Sequence, residues 1–400
     1  MNKNQEDIIY LIYCALHNLK ADTCNMDIKE IEKIAYRHTI SSLVCTALDI
    51  EDPFLIDQKN KAVRKLMLLD AERDIIFKRL DEKGIWHMSL KGAILKDLYP
   101  IYGTRQMADN DILFDEKYRD EVREIFTSLG YSIKSFNEGI HDVYHKNPIY
   151  NFEMHVSLFN KSLPVFYNYY NNLEPKYQYK ENTYERYMTK EDAYIYIVAH
   201  GFKHYSHSGT GIRTLIDLYV YNTSCDLNRN YIEEECKKLG IDVFEKKARG
   251  IAYKLFDKPE YELSTDEISF VDYFFSSCTY GTTSIRIENE INKLKLEGHK
   301  HAKFYYVFRR AFPSASWFRQ YYEFLDKYPI FIPFFSLYRF IRGLLTRANI
   351  WTNEIKVVKN KQKWDNSLHY EKRKDYYYNI TCCVYCYITN TISLTKCIGY

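Results

Sequence analysis

Apolar residues recur every three or four positions through the first eighty residues, then switch to short unbroken or alternating runs, and return to helical spacing after residue 181. Ile8, Leu11, Ile12, Ala15, Leu16 and Leu19 share one helical face. Asp27 is placed to cap a second helix carrying Ile31, Ile34 and Ala35. Residues 41–48 predict a third helix, and a longer one runs through Val63, Leu66, Met67 and Leu80 to end at residues 81–84. The run at 85–90 lies between Gly84 and Gly92 and predicts a strand. A short helix over 93–99 stops at Pro100, and Ile112, Leu113 and Phe114 continue a buried strand. Val122, Ile125, Phe126 and Leu129 mark an amphipathic helix over 117–129, with Gly130 as its stop. Further strands are predicted at 131–136, 140–145 and 149–159, the last alternating around Phe152-Glu153-Met154-His155-Val156.

Beyond residue 181, Thr189-Lys190-Glu191-Asp192 reads as a helix start. That helix carries Ala193, Ile197, His200 and His204, and Gly209 and Gly211 break it. Helices follow at 213–221, 231–239, 243–256, 266–275 and 284–296, and Pro313, Pro329 and Pro333 punctuate what comes after. Arg213 and Asp217 are spaced to pair along their helix. The pattern predicts an α+β chain in four parts: an N-terminal helical region at 1–83, a mixed core at 84–180, a C-terminal helical domain at 181–350, and a tail at 351–400 whose pattern fixes no element.

Composition narrows the class only a little. The chain has 56 Lys and Arg against 53 Asp and Glu, a formal net charge of +3, so it lacks a general polyanion-binding signature. The 39 Tyr and 23 Phe, with many Lys, Asn and Ile, read as a coding bias rather than an aromatic binding surface. Cys14, Cys24, Cys45, Cys225, Cys236 and Cys278 show no paired spacing, and Glu6 and Asp7 interrupt any signal-like apolar run. A reducing cytoplasm is the expected compartment. The longest apolar stretch, 330–345, contains Arg339 and Arg342 and is too short and too charged to span a bilayer. It reads as a helix packed on the second domain, in preference to a membrane-surface helix.

The stretch 89–114, SLKGAILKDLYPIYGTRQMADNDILF, carries the candidate chemistry. Asp109 and Asp111 project from one side of a strand, as alternation requires. Gly92 and Ala93 follow a strand and open a helix, an arrangement that turns backbone N–H groups toward phosphate, and Lys91 and Arg105 add positive charge. Glu153 lies in an apolar strand and needs a cation or donor partner there. His155 shares its face and is placed to orient a carboxylate or contact substrate, or equally to sit as a satisfied core histidine. Clustered carboxylates beside a glycine bend suit a divalent metal carrying a triphosphate. Two other constellations are weaker. His200 and His204, one turn apart with Lys203 and His207 beside them, fit a phosphate- or substrate-facing helix, or plain surface histidines, better than zinc, and Cys382, Cys383, Cys386 and Cys397 read as thiols in a tail. Asn110 between the two aspartates stands where an apolar residue would pack better.

With these residues in hand, the chain resembles the uncharacterised nucleotidyltransferase family of the DNA polymerase β-like superfamily. The likeness rests on Leu90-Lys91-Gly92, Tyr99-Pro100, Arg105, Asp109-x-Asp111 with Ile112-Leu113-Phe114, and Phe152-Glu153-Met154-His155. His200, Lys203-His204, Arg213 and Asp217 extend it, and it spans roughly residues 5–350. The resemblance implies a small mixed sheet flanked by helices, a nucleoside triphosphate donor, and Mg²⁺ held by Asp109, Asp111 and Glu153. Gly92 maps to the phosphate-contacting glycine, with Lys91, Ala93 and Arg105 beside it. The serine that often follows this glycine is Ala93 here. The implied activity moves a nucleoside monophosphate to an unidentified hydroxyl acceptor: a small molecule, a sugar, a protein or an RNA end. The alternative is an inactive nucleotide-binding regulator or antitoxin-like partner, which the presence of all three acids opposes.

Overall fold

Local capping sets the N-terminal helices. In a computed structural model of the chain, residues 1–359 are described apart from 280, 316, 319–321 and 347. Asn2 and Gln5 form a capping box at the start of α1 (Lys3–Leu16). Asp27 accepts from the Glu30 N–H to start α2 (Ile28–Arg37), and α3 (Ser41–Ala47) follows. Asp52 caps α4 (Pro53–Glu82), whose first residue is a proline that needs no N–H partner. The helix ends at Lys83, where Gly84 at φ +67° turns the chain into the sheet.

The sheet has five strands: β1 (His87–Ser89), β2 (Asn110–Phe114), β3 (Ser132–Ser135), β4 (His141–Lys146) and β5 (Tyr150–His155). Their order is β1-β2-β5-β4-β3. β2 and β5 run parallel in the middle, and the remaining pairs are antiparallel. Gly92–Leu95 is a single turn of helix, α5, and Arg119–Ser128 is α6. Alternation divides the sheet's two faces. Ile112, Phe114, Tyr144, Phe152 and Met154 pack against Ile76 and Leu80 of α4 and Val122, Ile125 and Phe126 of α6. Phe126 stacks on Tyr144 with centroids 4.2 Å apart. Burying each such ring contributes about 2–3 kcal/mol. The residues between them, Asp111, Leu113, Glu153 and His155, belong to the other face.

Asn110 corrects the expectation that it weakens the strand. It is fully buried on the α4 side, donates its amide to the Leu69 carbonyl at 3.0 Å and accepts from Arg73 at 3.2 Å. An apolar side chain there would leave the Leu69 carbonyl and the Arg73 guanidinium each short of a partner.

Helices follow the sheet: α7 (Pro164–Asn171), α8 (Lys190–Ser206), α9 (Arg213–Ser224), α10 (Arg229–Leu239), α11 (Asp242–Phe256) and α12 (Thr265–Ser277). Thr189 starts α8 through a reciprocal bond with Asp192, the expected capping pattern. The chain forms two compact units, and residues 1–202 with 211–279 make the first. Within it α1 packs on α3 and α11, and His17 Nε2 bonds the Phe256 carbonyl oxygen at 2.9 Å. Its six cysteines form no disulfide.

His38, buried in this unit against Phe275, has its pKa pushed down to about 4 by burial, with Arg37 and Arg213 adding to the effect. Its folded value lies below the unfolded value near 6.5, so the unfolded chain takes up the proton first. Stability from this group is whole above pH 6.5 and falls as the pH drops toward 4, by about 3 kcal/mol at most. Urea midpoints of the wild-type chain and His38→Gln, measured from pH 7.5 to 4.5, should converge as the pH falls. Parallel curves would refute this.

The second unit comprises residues 203–210 and the described residues from 281 onward. Ile287, Ile291 and Leu294 of α13 (Thr283–Leu296) pack with Ala302 and Tyr306 of α14 (Ala302–Ala311) and with Val358. Buried Glu354 is held by Arg286 at 2.9 Å and Arg310 at 3.0 Å. The helix Ile332–Thr346 buries none of its described residues, and Phe334 and Leu345 are 69% and 80% exposed. The expected packing of this helix on the second domain is seen in part: Phe340 stacks on Phe312 with centroids 5.1 Å apart and meets Trp351 edge-on at 6.0 Å. Arg339 also reaches the Arg310 carbonyl oxygen at 3.2 Å. Among the described residues, no helix is long and apolar enough to cross a membrane. Residues 360–400, with the four tail cysteines, lie outside the described residues.

Candidate functional site

The parallel register of β2 and β5 builds the site. Asp111 and Glu153 are direct partners across the two central strands, and Leu113 is opposite His155. Residues paired across neighbouring strands share a face, so the two carboxylates share one, although 42 positions separate them in sequence. Asp109 lies just before β2 and in step with Asp111. Burial and then the charges of Asp111 and Glu153 raise the Asp109 pKa to about 6 against the pull of Lys91 and Arg213. The three acids therefore act on one another electrostatically, but among the described residues the group with ligand atoms within 4.8 Å of one another holds Glu153 with His141 and His155, and neither aspartate.

Asp111 has two close partners. Its Oδ1 accepts from Lys91 Nζ at 3.1 Å and lies 2.8 Å from His155 Nε2. Burial pushes the Asp111 pKa up, but Lys91 and then His155 outweigh it and hold the carboxyl below the usual range. Burial lowers the His155 pKa to about 4 despite the bond to Asp111, so the ring is neutral. Its Nε2–H then donates to Asp111, while its Nδ1 is buried with no partner. Burial also works against the Lys91 ammonium, and Tyr196, Asp111 and Glu153 more than offset it, so its pKa lies above that of an ordinary lysine. Lys91 has φ +42°, a left-handed conformation uncommon for a side-chain-bearing residue.

The bend at Gly92 is tight. A Cβ there would lie 2.7 Å from the Met107 Sδ and 2.9 Å from an Arg105 Nη1, and Met107 is itself packed on Leu66 and Leu69. Only glycine fits without displacing them. The expected phosphate-facing donor at Ala93 is taken up inside the turn, because its N–H bonds the Leu90 carbonyl oxygen at 3.2 Å. A one-turn helix leaves that N–H a partner within its own chain.

Arg105 is not turned toward the acids. Its Nε and Nη2 make a bidentate pair with Asp217 of α9 at 2.8 and 3.0 Å, and Tyr99 donates to the same carboxylate at 2.7 Å. The Asp217 carboxylate thus receives both Arg105 and Tyr99. Arg213 donates to the Gln106 carbonyl oxygen at 3.1 Å, Lys65 to that of Ala108 at 2.8 Å, and Gln106 Oε1 accepts from the Ser42 N–H. Helices α3, α4 and α9 thus fix the loop that delivers Asp109.

Sequence reasoning missed His141. It is the Cα partner of His155 across β4 and β5, and each ring's Nε2 is 3.7 Å from Glu153 Oε2. The signal was present: 141, 143 and 145 alternate with buried Asp142 and Tyr144, which puts His141 on the Glu153 side. Among the described residues, His141, Glu153 and His155 form a group able to hold a metal ion, and no such group includes His200 or His204.

No curated protein and no solved structure matches the chain. Residues 25–257 match the family described as uncharacterised nucleotidyltransferase, a span that includes all three acids and supports a role in nucleotidyl transfer. That span is more than half of the 400 residues, and the chain belongs to the uncharacterised nucleotidyltransferase family.

Proposed function

We propose that the protein moves a nucleoside monophosphate from a nucleoside triphosphate to a hydroxyl acceptor and releases pyrophosphate. Asp109, Asp111 and Glu153 would hold Mg²⁺. The observation that carries this reading is the β2–β5 register, which sets Glu153 beside Asp111 within electrostatic reach of Asp109. Hard carboxylate oxygens in mutual repulsion fit a divalent ion of the magnesium kind. The chemistry a bound Mg²⁺ supplies is neutralisation of phosphate charge and a lowered pKa at the attacking hydroxyl.

The chain's own groups do the rest. Lys91 places an ammonium beside Asp111, with donors remaining for phosphate oxygens. Gly92 lets the backbone approach the phosphates without a side chain between. Glu153 helps to take the acceptor's proton. His155 donates to Asp111 and fixes the direction of its carboxylate. Arg105 acts through the loop, as a positioning residue rather than a phosphate ligand. The acceptor remains a small molecule, a sugar, a protein or an RNA end, and the six unbridged cysteines suit the reducing cytoplasm in which we place the reaction.

Incubation of the purified chain with Mg²⁺, cell extract and each nucleoside triphosphate labelled at the α-phosphorus tests this. Label transferred to an acceptor, with release of pyrophosphate, is the expected result. Binding of triphosphate with no pyrophosphate from any of them would instead favour the inactive nucleotide-binding reading.

A further inference from the structure

We infer that His141, Glu153 and His155 form a second cation site, sharing Glu153 with the acids proposed for Mg²⁺, that takes an ion of the imidazole-binding class, Zn²⁺ or Co²⁺, in preference to Mg²⁺. Both imidazoles and the carboxylate come from two adjacent antiparallel strands, and His141 and His155 are register partners. Sheet geometry, not a mobile loop, therefore sets their spacing. Each Nε2 is 3.7 Å from Glu153 Oε2, and the three ligand atoms lie within 4.8 Å of one another. A tetrahedral zinc with bonds of about 2.0–2.1 Å holds its ligand atoms about 3.4 Å apart. The His–Glu separations need to contract by about 0.3 Å and the widest separation in the group, up to 4.8 Å, by about 1.4 Å, a movement open to the half-exposed His141 side chain.

The donor set decides the ion. Mg²⁺ is bound through oxygen and gives up its waters reluctantly, whereas imidazole nitrogen favours zinc, cobalt and their neighbours. Two nitrogens and one oxygen leave a fourth position open. Access comes from the His141 side, where the His141 and Glu153 side chains are 37% and 27% exposed, while His155 is buried and held by Asp111. On binding, His155 gives its Nε2 lone pair to the ion and carries its proton on Nδ1, which has no partner to lose. Asp111 Oδ1, now 2.8 Å from that Nε2, is released from its donor.

Because the site shares Glu153 with the acids proposed for Mg²⁺, it is tested without nucleotide or Mg²⁺. Co²⁺ titrated into the full chain should produce visible d–d absorption that saturates. His141→Ala, which removes a half-exposed side chain, should weaken Co²⁺ binding by about tenfold or more. His145→Ala, on the same strand but opposite Asn151, should leave it unchanged. Absence of the d–d bands in the wild-type chain, a Co²⁺ isotherm in His141→Ala equal to wild type, or equal losses in both variants would overturn the site. So would a signal consisting only of near-ultraviolet thiolate bands, because the ion would then sit on cysteine.

Discussion

Asp109→Asn should lower kcat/KM for nucleotidyl transfer by about a thousandfold or more, a loss of about 4 kcal/mol in transition-state stabilisation, while the fold stays at least as stable. The two halves of this expectation have separate causes. Asparagine keeps the shape of the acid but cannot hold a cation with a charged oxygen. In the metal-free protein, Asp109 is ionised at pH 7.5 only against burial and the repulsion of Asp111 and Glu153. Neutralising it relieves that repulsion. Its folded pKa of about 6 lies above the usual carboxylate value, so the charged side chain costs stability above that pH, and the cost disappears as the pH falls toward 4. Steady-state rates and melting temperatures in chelator-treated buffer give the two readouts. Activity near wild type in Asp109→Asn would remove the catalytic assignment. Asp111→Asn is a less clean probe, because it also strips Lys91 and His155 of their shared acceptor.

The second large effect is on folding. Asp217→Ala should cost about 3–5 kcal/mol in chemical denaturation, the range for removing one partner of a buried ion pair. It leaves the Arg105 guanidinium and the Tyr99 hydroxyl without their acceptor in a site closed to water. The double variant Arg105→Met with Asp217→Leu should recover more than half of that loss, since no unpaired charge remains. If the single and double variants are equally unstable, packing rather than charge governs this contact. Transfer activity should fall in both, because the loop before Asp109 depends on the pair.

Much of the site was legible because it follows from alternation. The period of two put Asp109 with Asp111, and Glu153 with His155, from sequence alone. The same rule placed the strands around residues 85–159 and the Gly84 and Gly130 stops, where the structure shows φ +67° and +81°. What alternation does not encode is which strands become neighbours. The pairing of Asp111 with Glu153, and of His155 with His141, depends on a strand order fixed by packing on α4 and α6. Arg105 looked available for phosphate because its partner is 112 positions away, on a helix whose spacing pointed to a local pair instead. Asn110 looked like a flaw because the Leu69 carbonyl that it serves belongs to a distant helix.

The parallel pairing at the centre of the sheet also bears on how the protein comes into being. A hairpin can close as soon as its second arm exists, but β2 must wait for α6, β3 and β4 to form before β5 can return beside it. During synthesis, a nascent chain that has emerged only as far as residue 149 already carries two of its three acids, yet they face an unfilled edge. On the proposed reading the acid cluster is therefore completed late, and a chain that stops before β5 would be inert rather than partly active.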